Sequence, residues 1–280
     1  MKIEDALEEG YKILNSKNIN SANLDTEILL SEVLNIDRSN LLLNLDKKLK
    51  NEEYLKYKSL IDQRFILKPI AYLTQKKEFW QNSFFVDKNV LIPRPDTEII
   101  VENAFEIMKR KRVNNILEIG VGSGCVILSI LREKKKLSAV GIDKCQKALA
   151  VCKINSKNLK IHNRIKLFES DIDKFNYGKY DMIVSNPPYI NKVDLGRLKK
   201  DTLYYEPNIA LYGGIDGTLE LKKVIRKSAE LIKRKGILIL EIAYNQRRNI
   251  EEMLKENRFY IKKVVKDFAD NNRCIISIKI

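Results

Sequence analysis

The sequence predicts an α/β fold. Its main part is a Rossmann-like, mostly parallel sheet of seven strands, preceded by a small N-terminal helical domain and a linking β-hairpin. Three observations point there. From residue 99 onward, short β-branched runs alternate with amphipathic helical stretches, the pattern of a parallel sheet covered on both faces. A strand ends in Gly120-Val121-Gly122-Ser123-Gly124 and feeds directly into a helix. Residues 1–75, by contrast, carry apolar side chains at approximately helical spacing.

The elements follow in order. In residues 1–75, Ile3, Ala6, Tyr11, Ile13 and Leu14 mark a first helix. Leu24, Ile28, Leu29, Val33 and Leu34 mark a second, and Leu55, Leu60, Ile61 and Phe65 a later one. Ser21 and Asn51 stand where N-caps are expected, with Glu52 and Glu53 favouring the helix start. This stretch carries no catalytic motif, and a substrate-recognition bundle is expected. Residues 76–95 change character: 78–80 and 83–86 predict two short strands around a turn at Gln81-Asn82, a hairpin linker closed by Pro93-Arg94-Pro95. Trp80, Phe84 and Phe85 are expected to form the hairpin's core. Residues 96–280 then form the main domain. Strands are predicted at 115–120, 138–143, 165–171, 180–185 and 236–242, with a closing hairpin of 260–266 and 274–280. Helices are predicted near 97–110, 123–133, 145–157, 217–234 and 244–257.

Composition bounds the function classes. With 280 residues and 44% hydrophobic content the chain can bury a full core and a smaller one. No apolar stretch approaches the roughly 18–20 residues of a membrane span. The start Met1-Lys2-Ile3-Glu4-Asp5 has no secretory apolar region, so a cytoplasmic protein is expected. Cys125, Cys145, Cys152 and Cys274 are scattered without a C-x-x-C pair, which suggests neither a disulfide framework nor a zinc site; no metal is expected. The single histidine, His162, lies in a polar linker, so mechanisms built on a histidine base find little support. The net charge of +15 is uneven. Residues 1–95 hold 15 basic and 14 acidic side chains, and residues 96–280 hold 37 and 23. A general lysine bias accounts for this, with runs such as Lys134-Lys135-Lys136 at predicted helix ends complementing the dipole. Weak nucleic-acid association is the alternative.

Chemistry concentrates at the carboxyl ends of the predicted strands. The glycine spacing is G-x-G-x-G, not the dinucleotide G-x-G-x-x-G. Glycines permit the tight turn and let a ligand approach the backbone. Asp143 ends the next strand, 19 residues after Gly124, where a carboxylate can bind both hydroxyls of a ribose. Asp171 ends the third, in reach of an adenine edge. About 60 residues after the glycine turn stands Asn186-Pro187-Pro188-Tyr189. An asparagine side chain offers a carbonyl acceptor, and proline keeps a backbone carbonyl while lacking an N–H. Two acceptors in a rigid turn suit the two N–H bonds of a planar NH2 group. Together these features propose methyl transfer from S-adenosylmethionine (SAM) to a weakly nucleophilic nitrogen.

At these residues the chain resembles the SAM-dependent methyltransferases with an Asn-Pro-Pro-Tyr motif, and specifically the peptide chain release factor glutamine methyltransferases (the PrmC/HemK family). The resemblance spans Lys68-Pro69-Ile70-Ala71-Tyr72-Leu73-Thr74, Glu78-Phe79-Trp80 and Ile92-Pro93-Arg94-Pro95-Asp96-Thr97-Glu98, then residues 117–124 and 185–189. It continues through Tyr205-Glu206-Pro207, Gly213-Gly214-Ile215-Asp216-Gly217 and residues 267–273. Gln75 and Gln81 stand where that family usually has glycine, and Glu118 where it often has aspartate.

The resemblance implies that Glu118, Gly120, Val121, Gly122, Ser123, Gly124, Asp143, Asp171, Ile172 and Asn186 hold SAM, with S-adenosylhomocysteine as product. Glu118 would stand near the ammonium, Asp143 on the ribose and Asp171 near the adenine. It implies as substrate the glutamine of a Gly-Gly-Gln loop in class-1 release factors, bound by Asn186, Pro187, Pro188, Tyr189 and Arg94. Asn186, Pro187 and Tyr189 are the expected catalytic set, with Tyr189 packing on the amide plane and Arg94 either at the site or paired with Glu98. Nucleic acid would not be required. Two rivals stay open: an amino-methyltransferase of a ribosomal-protein glutamine or an exocyclic RNA or DNA amine, and a non-catalytic SAM-binding subunit.

Overall fold

The computed structural model describes all 280 residues and divides them into two compact units. The first comprises Met1–Lys76 together with Lys199–Tyr205. Its helices are α1 (Ile3–Asn15), α2 (Ala22–Leu34), α3 (Arg38–Leu42), α4 (Asn51–Phe65) and α5 (Ile70–Thr74). Ile3, Ala6, Leu14, Leu29, Leu30, Leu41, Tyr57 and Ile61 close its core. Inside it Asp25 and Arg64, both almost fully buried, pair at 2.7 Å. The Ser21 hydroxyl and the Lys68 carbonyl supply the further hydrogen bonds such a desolvated pair requires. The expected caps differ in detail. Ser21 precedes α2 but turns its hydroxyl to Asp25, and Asn51 is the first residue of α4, whose Glu53 carboxylate instead accepts the Lys50 N–H at 2.8 Å.

The second unit, Lys77–Leu198 and Glu206–Ile280, holds the main sheet. The hairpin β1 (Lys76–Phe79) and β2 (Asn82–Phe85) leads into α6 (Glu98–Arg110), β3 (Asn115–Ile119), α7 (Cys125–Glu133), β4 (Ser138–Asp143) and α8 (Gln146–Asn158). Next come β5 (Ile165–Glu169) and β6 (Tyr180–Ser185). The short helices α9 (Lys192–Leu195), α10 (Lys200–Tyr205) and α11 (Asn208–Leu211) follow, with α10 belonging to the first unit. The chain ends with α12 (Leu219–Leu231), β7 (Ile232–Glu241), α13 (Arg247–Glu256), β8 (Phe259–Lys266) and β9 (Asn272–Lys279). The order β5-β4-β3-β6-β7-β9-β8 makes seven strands, all parallel except β9, which pairs antiparallel with both β7 and β8. The predicted mostly parallel seven-stranded sheet is therefore what forms.

Alternation along β3 shows how the sheet is covered. Ile116 faces one layer with α6 and α7, packing near Val101, Ala104, Ile127 and Ile130. Leu117 and Ile119 face the other, with Leu221, Val224, Ile225 and Ile250 of α12 and α13. Both faces are apolar, which is why the strands read as continuous hydrophobic runs. The chain passes from β3 outward to β4 and β5, then returns to β6 on the other side of β3. That reversal opens a crevice at the carboxyl ends of β3 and β6, where such sheets bind ligands.

The hairpin turn lies one residue earlier than the sequence reading: Trp80 and Gln81 are its two loop residues, with φ of +46° and +58°. Phe79 and Phe84 are buried and meet edge-to-face, while the Trp80 ring lies against Phe105. Gln75 likewise ends α5 in the left-handed region at φ +55°. Both glutamines thus occupy backbone conformations that glycine adopts without strain. Gln81→Gly is expected to raise stability by about 0.5–1 kcal/mol; urea unfolding monitored by tryptophan fluorescence measures it.

Candidate active site

A cleft of about 1100 Å³, counting its open mouth, lies at that switch point. It is lined by the glycine turn after β3, the ends of β4 and β6, the start of the β5-to-β6 segment, and residues 89–97. Each wall follows from local chemistry. Gly120, Gly122 and Gly124 all have positive φ, at +75°, +51° and +81°. A Cβ at Gly120 or Gly122 would meet nothing within 4 Å, so the missing side chains leave open space along the backbone. Gly124 differs: a Cβ there would press on Cys152 and Leu128, so it is required for seating α7. The N–H groups of Gly120 and Val121 both donate to the Ile142 carbonyl, at 2.9 and 3.0 Å, fixing the turn to β4.

Four carboxylates border the space, those of Glu118, Asp143, Asp171 and Glu220, the last paired with Lys223 at 2.9 Å. Glu118 is 3% exposed, accepts the Ile127 N–H at 3.1 Å, and lines the cleft. Burial pushes its pKa well above the usual carboxylate range, and the nearby Asp143 adds to this. A desolvated acid bordering a cleft is a fitting partner for a ligand's ammonium group. Asp143 accepts N–H bonds from Gly122 and Cys145, both at 2.9 Å, and so locks the glycine turn while lining the same space. Burial raises its pKa, opposed by those two N–H groups. Asp171 caps the 3-10 turn Ile172–Lys174 through the Asp173 N–H, and Asp171 and Ile172 both line the cleft. Val121 and Ser123 line it too. The set suits a nucleoside carrying a cationic amino acid: an anion for the ammonium, a carboxylate near two hydroxyls, and apolar walls for a base.

The Asn186 turn sits beside the glycine turn. Ser185, buried at the end of β6, donates its hydroxyl to the Ile119 carbonyl at 2.7 Å, so the motif and the glycine turn leave adjacent strands together. The Asn186 Nδ2 donates to Thr97 Oγ1 at 3.0 Å. Asn186 Oδ1 and the Pro187 carbonyl remain free of protein donors, and Asn186, Pro187 and Pro188 line the cleft. Gln246 fixes the turn from behind, donating to the carbonyls of Tyr189 and Gly217 at 3.1 and 3.0 Å. The loop from Gly213 to Gly217 lies on the same backbone. A Cβ on Gly213 would come within 2.7 Å of the Pro188 carbonyl, and one on Gly217 still closer to that of Tyr189.

Two expectations change. Tyr189 is not among the cleft-lining residues: its ring packs on the core layer of α12 and α13, and its hydroxyl donates to Glu241 at 3.1 Å. A buried carboxylate takes its hydroxyl and an apolar layer its ring face. Arg94 lines the cleft but pairs with Glu206 instead of Glu98, whose carboxylate accepts the Trp80 N–H at 2.8 Å. Glu206 is buried and also accepts the Ile92 N–H at 3.0 Å, tying residues 92–94 to the segment beyond the Asn186 turn. The single histidine, His162, is exposed and is not among the residues lining the cleft.

Four supporting residues carried no sequence signal of their role. Thr97 and Glu206 lay inside quoted segments, while Gln246 and Asn155 did not. Asn155, 1% exposed on α8, accepts the Phe85 N–H at 2.7 Å and donates to the carbonyls of Phe85 and Ser123 at 3.0 and 2.8 Å. It thereby fastens the hairpin to the glycine turn, and only the fold brings those partners together.

Known proteins place this architecture. The family model described as PrmC N-terminal domain matches residues 5–74, and that described as Methyltransferase small domain matches residues 97–201. A methyltransferase from Pyrococcus furiosus shares the fold, with a TM-score of 0.52, 17% identity, and coverage of 70% of this chain and 88% of that one. Fold, cleft and matches define an S-adenosylmethionine-dependent methyltransferase. Two curated relatives are named Release factor glutamine methyltransferase. The one from Clostridium acetobutylicum is 34% identical over 100% of this chain and 99% of its own length. The one from Clostridium botulinum is 35% identical over 98% of both. This chain belongs to the release factor glutamine methyltransferase family. No helix is long and apolar enough to cross a membrane.

Asn155→Ala would leave the Phe85 N–H and two carbonyls without their partner. It is expected to cost about 2–3 kcal/mol of stability, read as a lower urea midpoint at unchanged m-value.

Proposed function

We propose that this enzyme methylates the side-chain amide nitrogen (N5) of the glutamine in the Gly-Gly-Gln loop of class-1 peptide chain release factors, a reaction placed with translation in the cytoplasm. The observation that carries the reading is the pair of acceptors, Asn186 Oδ1 and the Pro187 carbonyl, on two residues that line the cleft with the glycine turn and with no protein donor of their own. Membership of the release factor glutamine methyltransferase family supports the substrate.

Bound SAM supplies an electrophilic methyl on a sulfonium, displaced in line as the carbon–sulfur bond breaks and sulfur keeps the electron pair. The chain's residues supply position. Glu118 holds the ammonium, Asp143 the ribose hydroxyls, Asp171 and Ile172 the adenine, and residues 120–124 leave room along the backbone. Asn186 Oδ1 and the Pro187 carbonyl accept the two N–H bonds of the glutamine amide and aim its nitrogen at the methyl. An amide nitrogen is a poor nucleophile because its lone pair is delocalised, so alignment is the contribution that counts; it can supply several kcal/mol without a strong base. Transfer leaves a cationic nitrogen that is far more acidic than the starting amide, and its proton passes to water. Pro188 and Arg94 border the substrate side, the latter held by Glu206. Tyr189 serves from below, anchoring the turn through Glu241. Residues 1–75 are the recognition domain in this reading, with 76–95 the linker and 96–280 the catalytic domain.

The test is transfer of labelled methyl from SAM to a purified class-1 release factor. Label is expected on the wild-type factor and not on one whose Gly-Gly-Gln glutamine is replaced. Asn186→Ala is expected to lower kcat at least about 100-fold, while SAM titration shows binding retained. Label on the glutamine-replaced factor, or none on either, would redirect the search to ribosomal proteins and RNA.

Glu118 yields a pH dependence. Its pKa is raised in the free enzyme, so protonation on acidification removes the charge that pairs with the ammonium. SAM affinity is expected to fall as pH drops, and Glu118→Gln to bind about tenfold more weakly at pH 8 with a flatter profile. Isothermal titration across pH checks both.

A further inference from the structure

Asn186 can act as an acceptor only in one of its two amide orientations. Turning the side chain over exchanges Oδ1 for Nδ2 and presents donors to a substrate that is itself a donor. What holds the productive orientation is Thr97. It stands at the N-cap of α6 yet makes no side-chain capping bond; its hydroxyl oxygen, in a residue 2% exposed, instead accepts from Asn186 Nδ2 at 3.0 Å.

A hydroxyl is donor and acceptor at once, so its role toward Asn186 depends on where its own hydrogen goes. Glu241 answers that. It is 1% exposed at the end of β7; Oε1 accepts the Tyr189 hydroxyl, while Oε2 is buried without a formed hydrogen bond. Thr97 is the neighbouring hydroxyl that most favours its charged form. The other groups facing it are Tyr189, the Arg273 cation, Asp96, and the Cys125 and Cys274 thiols, which burial keeps protonated. Arg273 is held by Asp267 at 2.8 Å and Asp96 at 3.5 Å.

Resting on the reading above, we propose that Thr97 and Glu241 are positioning residues for methyl transfer. The Glu241 carboxylate draws the Thr97 hydrogen toward itself, and the Thr97 oxygen then holds Asn186 with Oδ1 turned to the substrate. Protonated Glu241 reverses the relay. The carboxyl keeps its proton and donates a hydrogen bond to the Thr97 oxygen, the Thr97 hydrogen turns to Asn186, and the amide turns over to accept it. Burial pushes the Glu241 pKa up to about 7, within the range where the enzyme is readily assayed.

The test uses the full chain with release factor and SAM, both saturating, from pH 5.5 to 8.5. Wild-type kcat is expected to fall as pH drops through about 7, where Glu241 gains its proton. Thr97→Val is expected to lose on the order of 10–100-fold in kcat, with SAM affinity changed less than about threefold. Thr97→Ser, which restores the hydroxyl, recovers most of that loss. Glu241→Gln, a mimic of the protonated carboxyl, gives low kcat that is flat across pH. The Asn186 side-chain amide resonance, assigned by its loss in Asn186→Ala, reads the same relay without any substrate. It shifts with a midpoint near 7 in the wild type and stays fixed in Glu241→Gln. Wild-type kcat in Thr97→Val, a loss that Thr97→Ser does not repair, or an Asn186 resonance indifferent to pH and to Thr97→Val would overturn the proposal. A wild type that leaves release factor unlabelled overturns the substrate reading instead, and the resonance still decides the relay.

Discussion

The parallel pairing of β3 with β6 is the constraint on which the active cleft depends. Ile119 and Ser185 are register partners, and the Ser185 hydroxyl ties them again through the Ile119 carbonyl. The glycine turn therefore begins one residue after one partner, and Asn186 one residue after the other. Two segments more than 60 residues apart in sequence leave the sheet side by side. Had β6 been placed elsewhere in the sheet, each motif would be intact and the acceptors would have nothing to face.

Around that pair, buried polar groups do the positioning that the sheet cannot. Asn155 joins the hairpin to the glycine turn, Glu206 joins residues 92–94 to the far side of the Asn186 turn, and Gln246 fixes the turn's carbonyls. Each has several partners satisfied at once, which is what makes a buried polar network rigid. In the proposed reaction, the amide, hydroxyl and carboxylate of Asn186, Thr97 and Glu241 extend the same logic to the reacting geometry. The proposed methyl transfer to an amide asks for alignment more than for a base.

Much of this was legible in the chain because it rests on local rules. β-branched runs bounded by turns located every strand of the main sheet to within a few residues, and the flanking 3.6-residue periodicity located α6, α7, α8, α12 and α13. Positive φ explains why glycine stands at 120, 122 and 124, and why the glutamines at 75 and 81 mark glycine-like positions. Short helices without a periodic face, α9 to α11, were not legible, since four to six residues hold no pattern. The anchoring of Tyr189 was not legible for a different reason. Its sequence neighbours say nothing of the carboxylate contributed by β7, 52 residues away, that claims its hydroxyl.

By itself the sequence determined the fold class, the order of elements and the residue types able to meet a nucleoside and an amide. Those follow from backbone freedom and hydrophobic period, properties each segment carries alone. Only the tertiary structure decided which side chains reach the cleft and which are spent beneath it. Arg94 pairs with Glu206, Tyr189 with Glu241, and Asn186 with Thr97. Hydrogen bonds and ion pairs act over about 3 Å, so their partners are set by where the sheet brings distant residues, and no local pattern encodes that distance.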